Sequence, residues 1–511
     1  MKYLLYIFTG VLFTFSHAQS FIQPNGVNTL NKTLPQTDSI RDILDDINFI
    51  NSSNMPKPSK NFRSGHMDRA EIDNYLQKTD YGFIINLKSN SNVPSPAISN
   101  GKIHVSGGFG SKKYFAFDAF TGEKIWAKLL DDDGPSSAAI VDRISVFNTE
   151  SCTIFACDEN TGEHLWSYWL GDPLMSMPSI ADGQVFTSYP AQYSRSEDET
   201  NETKKRLDSL AFFPSHVLIS FELKTGKILW QKWIDGDIMS APVLQDGKLI
   251  FSTFTGSLYQ VQPKSGDFIS AKQIRATSAP ILIGNKTLIS LRADKEGERA
   301  QESIATINNY GRFINKTKAK NAPYIDYNVQ DNSELKEISI NMDSGNGFVG
   351  GAPASSGAFY AKSNVGQSNV SSLQSFQGSR TLNYKENNYT TQGNKLICSN
   401  AKNGDDIWSL KINGDMHAKG GFMATPPLEV NGRIIIATID GKIFIINSET
   451  GEKEKTYTIN HAVRYQPVVS KGWIYASTVD GYVVAINTRN EQFTGWSMWG
   501  GNAARTNVSS Q

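Results

Sequence analysis

The sequence has 511 residues, and its 50 lysines and arginines are balanced by 50 aspartates and glutamates. This length permits several domains or one large propeller or barrel. Because the formal charge is zero, no overall field favours nucleic acid or an anionic membrane surface as a partner.

The first predicted element is a secretory signal over residues 1–18. Lys2 precedes an apolar run from Tyr3 to Phe15, and small residues then favour cleavage after Ala18. The run is too short to span a membrane as a helix. No cysteine follows it to carry a lipid anchor, so we expect an exported, soluble protein that is not lipidated.

Residues 19–80 form a polar N-terminal extension in which one short amphipathic helix is predicted. The stretch DSIRDILDDINFI, from Asp38 to Ile50, begins with residues that cap helices. Its apolar residues recur at helical spacing and form a stripe of Ile40, Ile43, Leu44, Ile47 and Ile50. This apolar stripe predicts either packing against the rest of the fold or docking into a partner's groove.

A repeated turn motif dominates residues 81–506. AFDAFTGEKIW (Ala116 to Trp126) and ACDENTGEHLW (Ala156 to Trp166) share the pattern Ala-x-Asp-x-x-Thr-Gly-x-x-x-Trp, with their glycines forty residues apart. A fixed period of this size indicates a repeat architecture. The repeat residues to which we assign a structural role are Asp118, Thr121, Gly122, Trp126, Asp158, Thr161, Gly162, Trp166, Thr225, Gly226, Trp230, Gly404, Trp408 and Gly451.

The chemistry of the motif explains each residue type in it. Glycine accepts positive φ in a turn, and the preceding Asp or Asn can bond its own backbone two residues on. The Trp four residues after the glycine can bridge neighbouring units and bury roughly 200 Å². An Asp that recurs in turn after turn is better explained by the turn than by catalysis.

A second marker, an Ala-Pro or similar dipeptide followed by a turn and an apolar strand, counts the units independently. Both markers give eight units, each with four short strands. We therefore predict an all-β fold, an eight-bladed β-propeller of four-stranded antiparallel blades. Copies of the second marker start at Ser95, Met177, Ala241, Ala279, Ala352, Pro426 and Gln466, with a proline-free copy near Ser137.

An N-terminal strand is expected to close the ring. YGFIINLKSN, from Tyr81 to Asn90, resembles an outer strand, yet no inner strands precede it. We expect it to complete the eighth blade, whose three inner strands lie within Arg464 to Asn487. Trp496 and Trp499 would then pack beside that seam.

Four insertions interrupt the repeats, at residues 189–216, 293–303, 317–347 and 364–393. The connection between the second and third strands of an antiparallel blade leaves at the same end as the link to the next blade, so all four should project from one face. They are either tolerated polar growth or a binding face. The candidate partner contact is an apolar patch in the first insertion: Phe212, Phe213 and Pro214.

The sequence offers no nucleophile paired with a base, and no cofactor or metal site is predicted. Gly345-x-Gly347-x-x-Gly350 lacks the helix that a dinucleotide site needs, and Asp131 to Asp133 fits a solvated loop better than a calcium site. Cys152 and Cys157 would share one strand, on the order of 16 Å apart. That separation is too large for a disulfide.

The repeated motif resembles the tryptophan-docking motif of PQQ-like propellers, which include quinoprotein dehydrogenases and the propeller subunit of the bacterial outer-membrane β-barrel assembly machinery. The adjacent cysteine pair that the dehydrogenases use is missing here. That subunit is a lipoprotein in the family pattern, whereas this sequence has no lipidation cysteine.

The resemblance implies a non-enzymatic protein-interaction scaffold of the bacterial cell envelope, in the periplasm or at the outer membrane, associated with an outer-membrane protein assembly or secretion complex. Its partners would be envelope proteins that bind the insertion-bearing face, with no nucleic acid and no direct membrane span. Two other functions are compatible with the fold, a PQQ-dependent dehydrogenase and a sensor of small ligands or glycans.

Overall fold

A computed structural model describes residues 40–494, except 61–66, 109, 150–152, 171–176, 196, 211–212, 254, 294–300, 309–310, 322–380, 393 and 415–422. The predicted signal, Phe212, Gly345 to Gly350, Trp496 and Trp499 lie outside these residues. Within them, eight antiparallel sheets form consecutive blades, so the predicted eight-bladed propeller is confirmed. Neither helix of the described chain is long and apolar enough to cross a membrane.

The described N-terminal residues run around the outside of the ring. Helix α1 (Arg41–Ile50) precedes three short strands, β1 (Ser59–Lys60), β2 (Met67–Arg69) and β3 (Leu76–Thr79). α1 contacts the outer strands of blades 3 and 4, while β1, β2 and β3 add to the outer edges of blades 2, 1 and 8. We call residues 40–79 the belt.

Strand β4 (Gly82–Asn86) belongs to blade 8, and the next strands build the first four blades in chain order. Blade 1 contains β5 (Ala97–Ser99), β6 (Lys102–Ser106), β7 (Lys113–Asp118) and β8 (Lys124–Leu130). Blade 2 contains β9 (Ala139–Val141), β10 (Ile144–Asn148), β11 (Thr153–Asp158) and β12 (His164–Trp169). Blade 3 contains β13 (Ser179–Ala181), β14 (Gln184–Pro190), then helix α2 (Asn201–Asp208), β15 (His216–Glu222) and β16 (Ile228–Ile234). Blade 4 contains β17 (Val243–Gln245), β18 (Lys248–Ser252), β19 (Ser257–Val261) and β20 (Phe268–Gln273).

The second half of the ring follows the same plan. Blade 5 contains β21 (Ile281–Ile283), β22 (Lys286–Arg292), β23 (Gln301–Asn308) and β24 (Phe313–Lys316), with β25 (Lys320–Asn321) also paired to β23. Blade 6 contains β26 (Thr381–Tyr384), β27 (Asn387–Gln392), β28 (Lys395–Asn400) and β29 (Asp406–Lys411). Blade 7 contains β30 (Leu428–Val430), β31 (Arg433–Ala437), β32 (Lys442–Asn447) and β33 (Lys453–Thr458). Blade 8 contains β34 (Val468–Ser470), β35 (Trp473–Ser477) and β36 (Tyr482–Asn487), completed by β4 and β3.

Blade 8 joins the two ends of the described chain. β4 pairs antiparallel with β36, and Ile84 lies opposite Val484. The predicted closure by an N-terminal strand is therefore confirmed. β3 pairs with the other edge of β4, which the sequence did not predict.

Hydrogen bonds between blades reinforce the inner ring, where the first strands of neighbouring blades meet. The Ser137 hydroxyl donates to the carbonyl of Ser95 at 2.6 Å, and the Ser95 hydroxyl donates to the carbonyl of Gln466 at 2.7 Å. The Gln466 amide donates to the carbonyl of Pro427 at 2.8 Å. These bonds satisfy buried polar groups and connect blades 2, 1, 8 and 7 in series.

The belt helix uses its apolar stripe inside the molecule. Leu44 and Ile47 are fully buried, in the same core cluster as residues of blades 2, 3 and 4. The side-chain amide oxygen (Oδ1) of Asn48 accepts the backbone N–H of Trp233 at 2.7 Å, so this side chain covers part of the blade 3 edge. On the outer side of α1, Phe49 is 85% exposed.

Blade 6 does not begin where the sequence predicted. The marker at Ala352 lies outside the described residues, and the first two strands of the blade are β26 and β27, inside the stretch predicted as an insertion at 364–393. The prediction of an insertion there was wrong. TLNYKENNYTTQ forms two strands without the proline of the marker, and Lys385, with φ +56°, takes the place of a glycine in the turn between them. The count of eight blades is unaffected.

The other insertion boundaries also shift, because strands extend into them. Tyr189 and His216, the predicted ends of the first insertion, pair within blade 3 as parts of β14 and β15. Residues 301–303 belong to β23, so the connection predicted at 293–303 is shorter. Within 317–347, β25 continues the outer edge of blade 5.

Candidate functional site

The repeat turns owe their shape to the aspartate and the glycine. The Asp158 carboxylate accepts the N–H of Asn160 at 2.8 Å and of Thr161 at 2.9 Å, and Asp118 accepts equivalent bonds. Gly162 has φ +68°, a conformation that L side chains rarely adopt. The turn threonines accept an N–H from the residue two positions on: Thr121 from Glu123, Thr161 from Glu163 and Thr225 from Lys227.

The position four residues after each turn glycine determines how a blade meets the next one. We call it the docking position. Where it holds tryptophan, the ring covers the turn glycine of the next blade: a Cβ built on Gly162, Gly226, Gly266 or Gly451 would lie within 2.9 Å of ring atoms. The indole N–H also donates to a carbonyl of that turn: Trp126 to Glu159 at 3.0 Å, Trp166 to Leu223 at 2.8 Å, Trp230 to Pro263 at 2.8 Å and Trp408 to Ser448 at 3.1 Å.

The two seams of blade 5 are different. Ser270 holds the docking position in blade 4, and its hydroxyl would lie 3.3 Å from a Cβ on Gly311. Asn315 holds it in blade 5 and donates to the carbonyl of Lys402 at 2.8 Å, as an indole N–H does elsewhere. We call these the polar seams and the four with tryptophan the docked seams. Asn315 was not among the predicted repeat residues, although it lies four residues after Gly311, the same spacing that identified the tryptophans.

A buried histidine and glutamate lie at the first docked seam. His104 and Glu159 have fully buried side chains, with His104 Nε2 3.6 Å from Glu159 Oε1. Asn100 donates to the other carboxylate oxygen at 2.9 Å. Burial alone would raise the pKa of Glu159, but the His104 imidazole and the Asn100 amide prevail and lower it to about 2. Burial lowers the pKa of His104.

A second buried carboxylate connects blades 3 and 4. Asp235 lies in the link that leaves β16, and it is only 1% exposed. Hydroxyls of the next blade donate to it, from Thr253 at 3.0 Å, from Ser257 at 2.5 Å and from Tyr259 at 2.8 Å. Because these bonds occupy both oxygens, the carboxylate is suited to holding two blades together rather than to proton transfer.

The described residues contain no group of three or more His, Cys, Asp or Glu side chains that could hold a metal ion. Cys157 and Cys398 are free, buried thiols. Burial raises the pKa of the Cys157 thiol to about 12 and that of Cys398 to about 11. Both thiols therefore stay protonated at neutral pH and act as small apolar side chains.

The blade 3 connection has a folded structure in its described part. Thr200 caps α2 by accepting the N–H of Thr203 at 3.1 Å, and Leu207 is fully buried. Arg206 pairs with Asp46 of the belt helix at 2.7 Å. The connection and the belt therefore support each other above the outer edge of blade 3.

The predicted partner contact lies just after α2, and only part of it is exposed. Phe213 is 47% exposed, with the Arg195 guanidinium 5.4 Å from its ring centre. Arg195 also pairs with Asp208 at the end of α2. Pro214 is buried, which leaves Phe213 as the exposed described residue of the candidate contact. We call α2, Arg195 and Phe213 the insertion surface.

These features define the class of protein as an eight-bladed β-propeller whose blades are docked by tryptophan, an arrangement that resembles PQQ-like repeats. A family model described as outer membrane protein assembly factor BamB matches residues 114–208 and 364–490. The resemblance to PQQ-like propellers stated from the motif is thereby confirmed.

The match to an individual relative covers a shorter part of the chain. Outer membrane protein assembly factor BamB of Burkholderia pseudomallei is 31% identical over a match that spans 19% of this chain and 24% of that protein. The chain therefore matches about a quarter of the relative's length.

Solved structures align with most of the chain at low identity. BamB from Moraxella catarrhalis is 14% identical, with 81% of this chain and 99% of that chain covered and a TM-score of 0.49. Saccharomyces cerevisiae Sqt1 is 8% identical, with 81% and 99% covered and a TM-score of 0.50. The likeness to Sqt1 concerns the fold alone.

Proposed function

We propose that this chain is an exported, non-enzymatic interaction scaffold of the bacterial cell envelope that serves outer-membrane protein assembly. The observation that carries the proposal is the match of its repeats to a family model described as an outer membrane protein assembly factor. The predicted signal over residues 1–18 agrees with export.

The architecture supports a scaffold role. Docked seams and inner-ring hydrogen bonds make a rigid frame, and rigid frames present binding loops in fixed positions. On this frame, α2 is fixed by its cap and by the pair between Arg206 and Asp46. The insertion surface therefore offers an exposed aromatic ring and a guanidinium on an ordered base, residue types common at the centres of protein interfaces.

The test is co-purification from gently solubilised envelopes of the native host. Tagged wild-type protein is compared with Phe213→Glu and with a matched control, Phe120→Glu. Phe120 is 41% exposed but lies in the turn between β7 and β8, at the end of blade 1 opposite the connections between second and third strands. We expect stoichiometric envelope partners with the wild type and the control, and their loss with Phe213→Glu.

The other outcomes discriminate between parts of the proposal. An unaccompanied monomer in every sample would overturn the scaffold function. Partners retained by Phe213→Glu would leave the scaffold in place and remove the insertion surface from it. N-terminal sequencing of the same preparations tests export, because we expect the mature chain to begin at Gln19.

A further inference from the structure

The outer edges of the blades accept added strands. Lys60 of β1 pairs with Tyr168 in blade 2, and Asp68 of β2 pairs with Leu129 in blade 1. β3 adds to blade 8 in the same way. The belt therefore covers three edges by antiparallel strand addition, and α1 contacts the outer strands of two more blades, 3 and 4.

The outer edge of blade 5 is open in the described part of the chain. β24 is the last strand of its sheet there, with no described strand on its outer side. Phe313 and Ile314 of this strand are 52% and 53% exposed, and Ile407 on the neighbouring β29 is 52% exposed. An exposed apolar edge strand can pair with a strand of another chain. Proteins usually cover such an edge or use it for binding.

The open edge is also basic. The stretch RFINKTKAK, residues 312–320, carries four cations and no acid. Two of the four are neutralised by blade 6, since Lys318 pairs with Asp405 and Lys320 pairs with Asp406. Arg312 and Lys316 have no acidic partner among the described residues, so they give the edge a positive charge on a chain whose formal net charge is zero.

Blades 5 and 6 present one continuous outer surface at this point. Asn315 donates to the carbonyl of Lys402, and the backbone N–H of Lys318 donates to the carbonyl of Asn403 at 3.3 Å. The turn that precedes β29 therefore lies beside the end of β24. Ile407, two residues after this turn, is itself exposed.

We propose that the outer edge of β24 binds an extended strand of a partner protein in which apolar and acidic residues alternate. Backbone hydrogen bonds would extend the sheet as the belt does elsewhere, and the apolar residues would cover Phe313 and Ile314. The acidic residues would face Arg312 and Lys316. The inference rests on the proposed scaffold function and assigns it a second binding surface, on the rim.

Charge favours this occupant over two others, a second copy of the chain and residues 19–39 of the chain itself. A second copy of the chain would bring two basic edges together, which is unfavourable. Residues 19–39 of this chain contain only one lysine and one aspartate, so they offer no complementary charge. Both alternatives give distinct results in the test below.

The test uses a short fluorescein-labelled peptide of alternating glutamate and valine, with a lysine–valine peptide as its matched control. Fluorescence anisotropy with the full chain should show binding of the acidic peptide that weakens as salt rises. Phe313→Glu/Ile314→Glu and Arg312→Glu/Lys316→Glu should each weaken binding by about tenfold or more, a difference of about 1.4 kcal/mol. Leu129→Glu, on the belt-covered β8, should bind as the wild type does.

Several results would overturn the proposal. They are equal binding of the two peptides, equal binding by the edge variants, and a dimer in light scattering that Ile314→Lys dissociates. Binding that appears only after deletion of residues 19–39 would assign the edge to the chain itself. Circular dichroism and thermal unfolding confirm that each variant is folded.

The scaffold proposal can fail separately. Loss of co-purifying partners from every sample, including the wild type, removes the scaffold function whatever the peptide does. Peptide binding lost in the edge variants while Phe213→Glu alone controls co-purification would show two separate surfaces.

Discussion

The docked seams and the polar seams use the same turn with different partners for it. At the seam between blades 2 and 3, the indole of Trp166 covers Gly226, whereas between blades 5 and 6 Asn315 makes a single hydrogen bond beside Gly404. Both glycines have positive φ. The turn therefore needs its glycine in either case, while the aromatic ring adds burial between blades.

The largest difference is expected from truncating a docking tryptophan. Trp166 is 1% exposed, so Trp166→Ala should lower the free energy of unfolding by about 3–5 kcal/mol through lost burial and a cavity. Chemical denaturation followed by tryptophan fluorescence and circular dichroism measures the loss. Leu165→Ala, next to it and 44% exposed, should change stability by less than about 0.5 kcal/mol. Equal losses would mean that docking contributes nothing special.

A smaller effect is expected from the glycine under the ring. A Cβ on Gly226 would lie 2.6 Å from Trp166, at φ +68°. Gly247 has the same φ but no atom within 4 Å of such a Cβ, so Gly247→Ala isolates the backbone cost of about 1–2 kcal/mol. Gly226→Ala should cost about 1–3 kcal/mol more, because the ring must move. Indistinguishable denaturation midpoints would contradict the docking account.

Acid should weaken the first docked seam. The pKa of Glu159 falls from 4.5 to about 2, so its contribution is complete above pH 4.5 and is lost as pH falls through about 2. The pKa of His104 is lowered from 6.5, so its contribution also declines as pH falls below that value. Glu159→Gln should flatten the dependence of the denaturation midpoint on pH between about 4.5 and 2. The exposed Glu163→Gln should retain the wild-type slope.

The smallest effect is expected at the polar seam. Asn315→Ala removes one side-chain hydrogen bond to Lys402 and should cost about 1 kcal/mol. Hydrogen exchange should accelerate in β24 and in the turn before β29, with no change at the seam of Trp166. A loss as large as that of Trp166→Ala would remove the distinction between the two kinds of seam.

The propeller could be predicted because its repeat residues are fixed by local chemistry. Gly122 and Gly162 mark turns that need positive φ, and tryptophans four residues later mark the outer strands. The first two strands of blade 6 were not predicted, because β26 and β27 have neither the proline nor a glycine turn. The closing strand β4 was recognisable because no inner strands precede it.

The belt and the insertion surface depend on contacts between distant residues. β1 has two residues and β2 three, too few for a recognisable strand pattern, and the outer edges that they join determine their conformation. The burial of Pro214 likewise cannot be inferred from AFFP alone. Phe213 was recognisable as an exposed aromatic candidate because charged residues precede it in the same loop.

The pairing of β4 with β36 has a consequence for the order of folding. Ile84 and Val484 are opposite each other although 400 positions separate them in the chain (484 − 84). During synthesis β3 and β4 emerge long before β36, which pairs with β4 and follows it about 400 residues later. Contacts at such separation form slowly because a long loop must close first. The docked blades thus form an open arc until the last strands arrive, and release of β4 from β36 would reopen the ring.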